Sequence, residues 1–142
     1  MQVTLILTLV VHVLSGVFWA GTTFALARTG GNDAQARTGG NDAQQFFGPQ
    51  MGAAIAAVLT GALLWFLLHR GELGTQGYLL AIGAFCAFLA AGVQGMTGAP
   101  ALRKLTAMGD SDELRHRVAR SQRVAAALLA ITVTCMAAAR YA

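Results

Sequence analysis

Four long apolar stretches constrain the fold of this chain more than any other feature. A hydrocarbon core of about 30 Å is crossed by roughly 20 apolar residues in an α-helix. Four stretches reach that length, at residues 3–25, 49–69, 75–99 and 118–139. With 56% hydrophobic and only 11% charged residues, little sequence remains for a water-soluble domain. We therefore predict one transmembrane domain over residues 1–142, an all-α antiparallel four-helix bundle integral to the membrane.

The first stretch has some features of a secretory signal peptide, because Ala25-Leu26-Ala27 is similar to a small-residue cleavage site. A signal peptide begins with a positively charged region, and no lysine or arginine precedes this apolar run. We therefore expect the segment to remain in the protein as the first membrane helix.

The connection between the first two helices is a tandem duplication. Residues 27–44 are two identical copies of Ala-Arg-Thr-Gly-Gly-Asn-Asp-Ala-Gln. Paired glycines and Asn-Asp steps favour turns and flexible connections. We predict a flexible loop over 27–44 that acts as a passive connector.

Prolines and polar residues predict where the other helices begin and end. Pro49 is expected in the first turn of the second helix, where its missing N–H has no cost. Pro100 is expected to end the third helix. Asp110, followed three residues later by Glu113, is typical of a helix N-terminus and predicts a fourth helix that begins near Ser111.

Basic residues are concentrated on one side of the predicted membrane. Four spans place the first and third connections on the same side, together with eight of the ten basic residues: Arg28, Arg37, Arg103, Lys104, Arg115, Arg117, Arg120 and Arg123. This bias predicts that these connections are cytoplasmic and that both termini lie outside, in the inner membrane of a bacterium. Without interleaved aromatic residues the cluster does not indicate nucleic acid, and it favours anionic lipids instead.

Small residues recur at helical spacing in the second and third spans. The stripes are Gly52, Ala56 and Thr60, with Ala53, Ala57 and Gly61 beside them, and Gly83, Ala87, Ala91, Gly95 and Ala99. Such stripes allow helix backbones to approach closely in lipid. They predict tight packing, either within one chain or in a homo-oligomer or a larger membrane complex.

His12 is the most informative single residue because it lies near the middle of the first span. An intramembrane histidine is costly and usually faces the bundle interior or a cofactor. Gly16 lies one turn further along the same face, with Trp19 nearby, which leaves room for a flat macrocycle or for a neighbouring helix. The spacing leaves two interpretations open: a metal or haem ligand, or a structural histidine bonded to Gln94, Thr60 or a backbone carbonyl.

The first helix resembles that of a group of bacterial membrane proteins. Its run from His12 to Gly21, a histidine followed seven residues later by Trp19, is similar to the copper-resistance protein D family and the haem-dependent membrane protoporphyrinogen oxidases. Leu59-Thr60-Gly61 is similar to a Thr-Gly step of the copper-resistance branch. The resemblance implies that His12 is an axial haem ligand, or that the chain handles copper.

The residue patterns and the resemblance together lead to three functional hypotheses. The first is a b-type haem protein for electron transfer, with His12 as the metal ligand, Gly16 and Trp19 beside the cofactor, and Arg120 and Arg123 as anion partners. The second is a copper-handling transport component, and the third is a non-catalytic accessory subunit. The Pro-Arg-Leu motif and the ligand lysine of the oxidases have no counterpart here, so no catalytic residue is assigned and protoporphyrinogen oxidation is not implied.

The other two histidines have separate roles in this scheme. His69 ends the second span, roughly 12 Å from the depth of His12, which is too far for both to bind one iron. We expect His69 at the membrane interface, with an outer metal or quinone site as the alternative. His116 shares a helix face with Arg120 and Arg123, a pattern that favours either contact with anionic lipid headgroups or an anion pocket.

Overall fold

The protein is entirely helical in the part of the chain that the computed structural model describes, residues 2–29, 33–68, 74–108 and 111–142. The elements in chain order are α1 (Gln2–Thr29), α2 (Asp33–Leu68), α3 (Thr75–Val93), a π-helical segment (Gln94–Gly98), α4 (Ala99–Met108) and α5 (Asp112–Ala139). These described ranges contain no strand. The predicted all-α four-helix bundle is confirmed.

Four helical stretches are long and apolar enough to cross a membrane: Gln2–Arg28, Gln45–Leu68, Thr75–Leu105 and Asp112–Ala139. Their mean hydropathy runs from 1.6 to 2.2. Their outward faces carry many large apolar side chains, such as Phe66 and Phe85. Exposure of so many apolar side chains to water would be unfavourable, whereas lipid accommodates them. The chain is a multi-pass membrane protein.

The helices pack in two antiparallel pairs, α1 with α2 and α3 with α5, and α1 also contacts α5. Glycine permits the closest approach within each pair. A Cβ atom at Gly83 on α3 would lie 3.3 Å from the carbonyl oxygen of Thr132 on α5, and one at Gly61 on α2 would lie 2.9 Å from His12 Cε1 on α1. Part of each small-residue stripe, at Gly61 and at Gly83, thus packs against another helix of the same chain.

The second helix begins sixteen residues earlier than the proline predicts. α2 begins at Asp33, so its backbone is already helical in the second copy of the duplicated segment, where a flexible loop is expected. Alanine, glutamine and arginine at 34–37 are good helix formers and outweigh the turn-forming glycines. Pro49 therefore lies inside the helix, and Gln50 lies deep in the bundle and not at a helix terminus.

The third membrane helix does not end at Pro100, contrary to the prediction. A proline has no N–H, and its ring clashes with the carbonyl four residues earlier. The π-helical segment Gln94–Gly98 accommodates this by a longer-range pairing, in which the Ala99 N–H donates to the Gln94 carbonyl. The helix then continues as α4 to Met108.

The predicted start of the fourth helix is confirmed. Ser111 is the N-cap residue of α5, and Asp112 and Glu113 lie in its first turn. Negative charge there interacts favourably with the positive end of the helix dipole. Asp110 lies outside the described residues.

Candidate functional site: an intramembrane histidine above a glutamine network

Polar side chains, and not apolar ones, are the largest fully buried groups of the bundle. Gln50 and Gln94 are 0% exposed, and Thr23 and Gln122 are as deeply enclosed. A polar group in the interior of a membrane protein is costly unless it is hydrogen-bonded. These four side chains must therefore satisfy one another.

Gln94 is the centre of this cluster. Its Oε1 accepts a hydrogen bond from Trp19 Nε1 at 2.8 Å. Its Nε2 donates to Thr23 Oγ1 at 3.1 Å and to Gln122 Oε1 at 2.9 Å. The Gln94 amide thereby joins α1, the π-helical segment and α5.

Gln50 adds the fourth helix. Its Nε2 donates to Thr23 Oγ1 at 2.7 Å and to Gln122 Oε1 at 3.2 Å. The Thr23 hydroxyl donates to the Trp19 carbonyl at 2.7 Å, so it gives one hydrogen bond and accepts two. We call Trp19, Thr23, Gln50, Gln94 and Gln122 the glutamine network, which links all four membrane-crossing helices.

His12 forms a separate polar contact between α1 and α2. Its Nδ1 lies 2.9 Å from the Ala57 carbonyl oxygen and 3.2 Å from Thr60 Oγ1. Because a carbonyl can only accept, Nδ1 must carry the proton. The Thr60 hydroxyl hydrogen is directed at the Ala56 carbonyl at 2.6 Å, which leaves its oxygen free to accept from His12. The predicted bonding to Thr60 and to a backbone carbonyl is confirmed, whereas Gln94 bonds to Trp19 instead.

The second imidazole nitrogen of His12 is available. Nε2 has no hydrogen-bond partner in the described ranges, and with the proton on Nδ1 it carries a lone pair. The ring lies against Gly61, where any Cβ would collide with it. On α1, a Cβ at Gly16 would meet nothing within 4 Å, so the helix face beside His12 is open.

The other predicted site residues do not gather around His12. Trp19 is 2% exposed and its indole N–H is bonded to Gln94, so its ring is part of the core. Arg120 and Arg123 flank Gln122, which lies at the depth of Thr23, eleven residues or about 16 Å along α1 from His12. His116 is exposed farther towards the same end of α5. His69 lies outside the described residues.

A metal at His12 would need most of its ligands from elsewhere. The described residues contain no group of three or more His, Cys, Asp or Glu side chains that could hold a metal ion. Cys86 and Cys135 are both free thiols. A porphyrin brings four nitrogen ligands of its own and needs only one axial side chain from the protein. Among the described residues, His12 therefore offers one imidazole nitrogen that is not grouped with further metal-binding side chains.

The fit between Gly61 and the His12 ring gives a direct test of this geometry. Gly61→Ala is expected to push the ring away from Ala57, because the new methyl group would lie 2.9 Å from Cε1. Nitrogen NMR of labelled imidazole should then show a weakened Nδ1 hydrogen bond. Gly52→Ala on the same helix is the control, since its methyl group would meet nothing within 4 Å. An unchanged Nδ1 signal in Gly61→Ala would contradict the described contact.

Two members of the glutamine network, Thr23 and Gln50, are not predicted by the sequence pattern. Gln94 is named only as a possible partner of His12, and Gln122 is likewise a polar residue in an apolar span. Gln50 is not so placed, because a helix that begins at Pro49 would place it at the membrane surface. The available signal was depth: counted along the chain, residues 23, 50, 94 and 122 all lie towards the basic end of their spans.

No family model, curated protein or solved structure matches this chain. The His12 contact and the glutamine network are therefore interpreted from their own geometry.

Proposed function

We propose that this chain is a small haem-binding membrane protein that takes part in electron transfer, with His12 as an axial ligand of a b-type haem. The observation that carries the proposal is the lone pair on His12 Nε2, unpartnered in the described part of the chain while Nδ1 is held by Ala57. Imidazoles that bind metals commonly donate their other N–H to a carbonyl, which fixes ring and tautomer. An intramembrane ionisable residue is moreover a functional-site candidate by default.

Three groups of this chain would hold and adjust the cofactor. The Ala57 carbonyl orients the imidazole and fixes the proton on Nδ1, and the Thr60 hydroxyl supports the same tautomer. Gly16 leaves space on the helix face next to the ligand. Bound haem would supply one-electron chemistry. Because His12 lies within the hydrocarbon region, water would be kept away from the iron.

The iron would be five-coordinate, or shared between two copies of the chain. No second histidine lies at the depth of His12 in the described ranges, since His116 is exposed at the far end of α5. A homo-oligomer that places two His12 side chains on one haem would complete the coordination. Arg120 and Arg123 lie near the basic end of the bundle, too far from His12 for their side chains to contact the propionates of this haem.

We propose that the protein lies in the inner membrane of a bacterium with its basic end in the cytoplasm. Arg28, Arg103, Lys104, Arg117 and Arg120 lie at that end of the described helices. Lysine and arginine next to membrane helices favour the cytoplasmic side. By this rule both chain termini face outward.

Reduced-minus-oxidised absorption spectra of the purified protein test the proposal. The protein from haem-sufficient cells should show sharp b-type bands, and His12→Ala should lose them entirely. His116→Ala is the matched control and should keep them, because it removes an exposed histidine at the other end of the bundle. In His12→Gly, added imidazole should restore the bands if the loss reflects a missing ligand and not a misfolded bundle.

Other outcomes would lead to other functions. A featureless spectrum from haem-sufficient cells would contradict haem binding. Stoichiometric copper(I) that is lost in His12→Ala would then favour a copper-handling component. If neither cofactor binds and His12→Ala only lowers stability, an accessory subunit of a larger membrane complex becomes the working interpretation.

A further inference from the structure

A groove at the basic end of the bundle lies between the third membrane helix and α5. It has a volume of about 500 Å³, within the range of roughly 300–1,000 Å³ typical of small-molecule sites. It lies where the π-helical segment and Pro100 interrupt the regular α-helical hydrogen bonding of the third membrane helix. π-helical turns often occur at functional sites.

The walls of this groove change character along the membrane normal. Its deep part is apolar and is lined by Val93, Met96 and Val124. Its outer part carries three basic side chains: Lys104, Arg117 and Arg120. Chain direction sets this order, since α3 and α4 run towards the basic end and α5 runs away from it.

Within the described ranges, the positive charge in the groove is only weakly compensated. Arg117 pairs with Glu113 at 3.2 Å, although both side chains are well exposed and such a pair is weak in water. Lys104 and Arg120 have no acidic partner among the described residues. No carboxylate contributes to the groove lining.

We propose that this groove binds one anionic phospholipid, with its phosphate at Lys104 and Arg120 and an acyl chain against Val93, Met96 and Val124. An amphiphile with one negative headgroup and an apolar tail matches the groove, because its headgroup would lie at the basic outer part and its tail at the apolar deep part. Basic side chains near the membrane surface favour anionic lipids, and guanidinium groups bind phosphate through paired N–H donors. The site is separate from His12, which lies about 16 Å from the depth of Gln122, and the basic side chains of the groove lie still farther from it.

Native mass spectrometry of the protein from nanodiscs tests this site. The nanodiscs contain equal amounts of phosphatidylglycerol and phosphatidylcholine, and the retained lipid is counted. We expect one retained phosphatidylglycerol per chain. In Lys104→Gln/Arg120→Gln the preference should fall roughly twenty-five-fold, because each basic side chain near the surface contributes about a five-fold preference.

A matched variant separates this groove from general attraction by positive charge. Arg28→Gln/Arg103→Gln removes two charges from the same end of the bundle, but neither residue lines the groove. It should keep the retained phosphatidylglycerol. If it loses as much lipid as Lys104→Gln/Arg120→Gln, attraction is diffuse and the proposed site does not exist.

The apolar wall is tested without changing any charge. Val124→Trp places a large ring in the deep part of the groove and should expel the lipid while the circular dichroism spectrum stays helical. Unchanged retention would show that only the headgroup is held and would overturn the acyl-chain position. Displacement of the lipid by millimolar inorganic phosphate would likewise identify an anion site in place of a lipid site.

Discussion

Gln94→Leu is expected to destabilise the bundle by roughly 2 to 4 kcal/mol, because it removes three hydrogen bonds at once. Trp19 Nε1, Thr23 Oγ1 and Gln122 Oε1 each lose a partner. Each membrane hydrogen bond contributes about 0.6 kcal/mol on average, and the orphaned Trp19 donor adds a further penalty because no water reaches it. Unfolding by titration with a denaturing detergent would measure the loss.

Gln76→Leu is the matched control for this prediction. It is the same substitution on the same membrane-crossing helix, but Gln76 is exposed in the first turn of α3. Its stability should change by less than about 0.5 kcal/mol. Equal effects of the two substitutions would mean that the network contributes nothing beyond side-chain hydrophobicity.

A double substitution tests whether the network acts as a unit. Gln94→Leu/Gln122→Leu should cost less than the sum of the two single changes, because both single variants remove the same Gln94–Gln122 hydrogen bond. Strict additivity would show that the two amides do not interact in the folded protein.

The glutamine network also explains why sequence patterns predict the helices better than their contacts. Long apolar stretches give the number of spans directly, because hydrocarbon thickness fixes their length. Which polar side chains meet depends on the rotation of each helix about its axis and on the depth of each residue in the membrane. A small error in the predicted end of a helix changes the predicted rotation and depth of its residues. The early start of α2 shifts Gln50 from the surface to the core, and the π-helical segment lets the third helix pass Pro100.

For His12 too, the sequence identifies the residue but not the geometry of its contacts. Its position in an apolar span was enough to mark it, and its partners on α2 were among those anticipated. The sequence could not predict that Nδ1 would be the bonded nitrogen. That choice depends on the distance between α1 and α2, which Gly61 allows to be short. The availability of Nε2 follows only from the packed structure.

Gly83→Leu is expected to separate α3 from α5 and to lower stability by about 3 kcal/mol or more. At Gly83 a Cβ would lie 3.2 Å from Cys135 Cβ and 3.3 Å from the Thr132 carbonyl oxygen, so a leucine side chain has no space without movement of the backbone. The same close approach lets the Thr132 hydroxyl donate to the Gly83 carbonyl at 3.0 Å. The wedge should therefore also break this hydrogen bond.

Gly92→Leu on the same helix is the control, because a Cβ there would meet nothing within 4 Å. Leucine is a better helix former than glycine, so this variant should be neutral or more stable by up to about 1 kcal/mol. Detergent titration of both variants gives the comparison. Loss of stability only in Gly83→Leu would attribute it to the α3–α5 contact, since helix propensity changes equally in both. Similar stability of the two variants would mean that α3 and α5 do not pack through Gly83, and that the pair is held chiefly by the buried amides of Gln94 and Gln122.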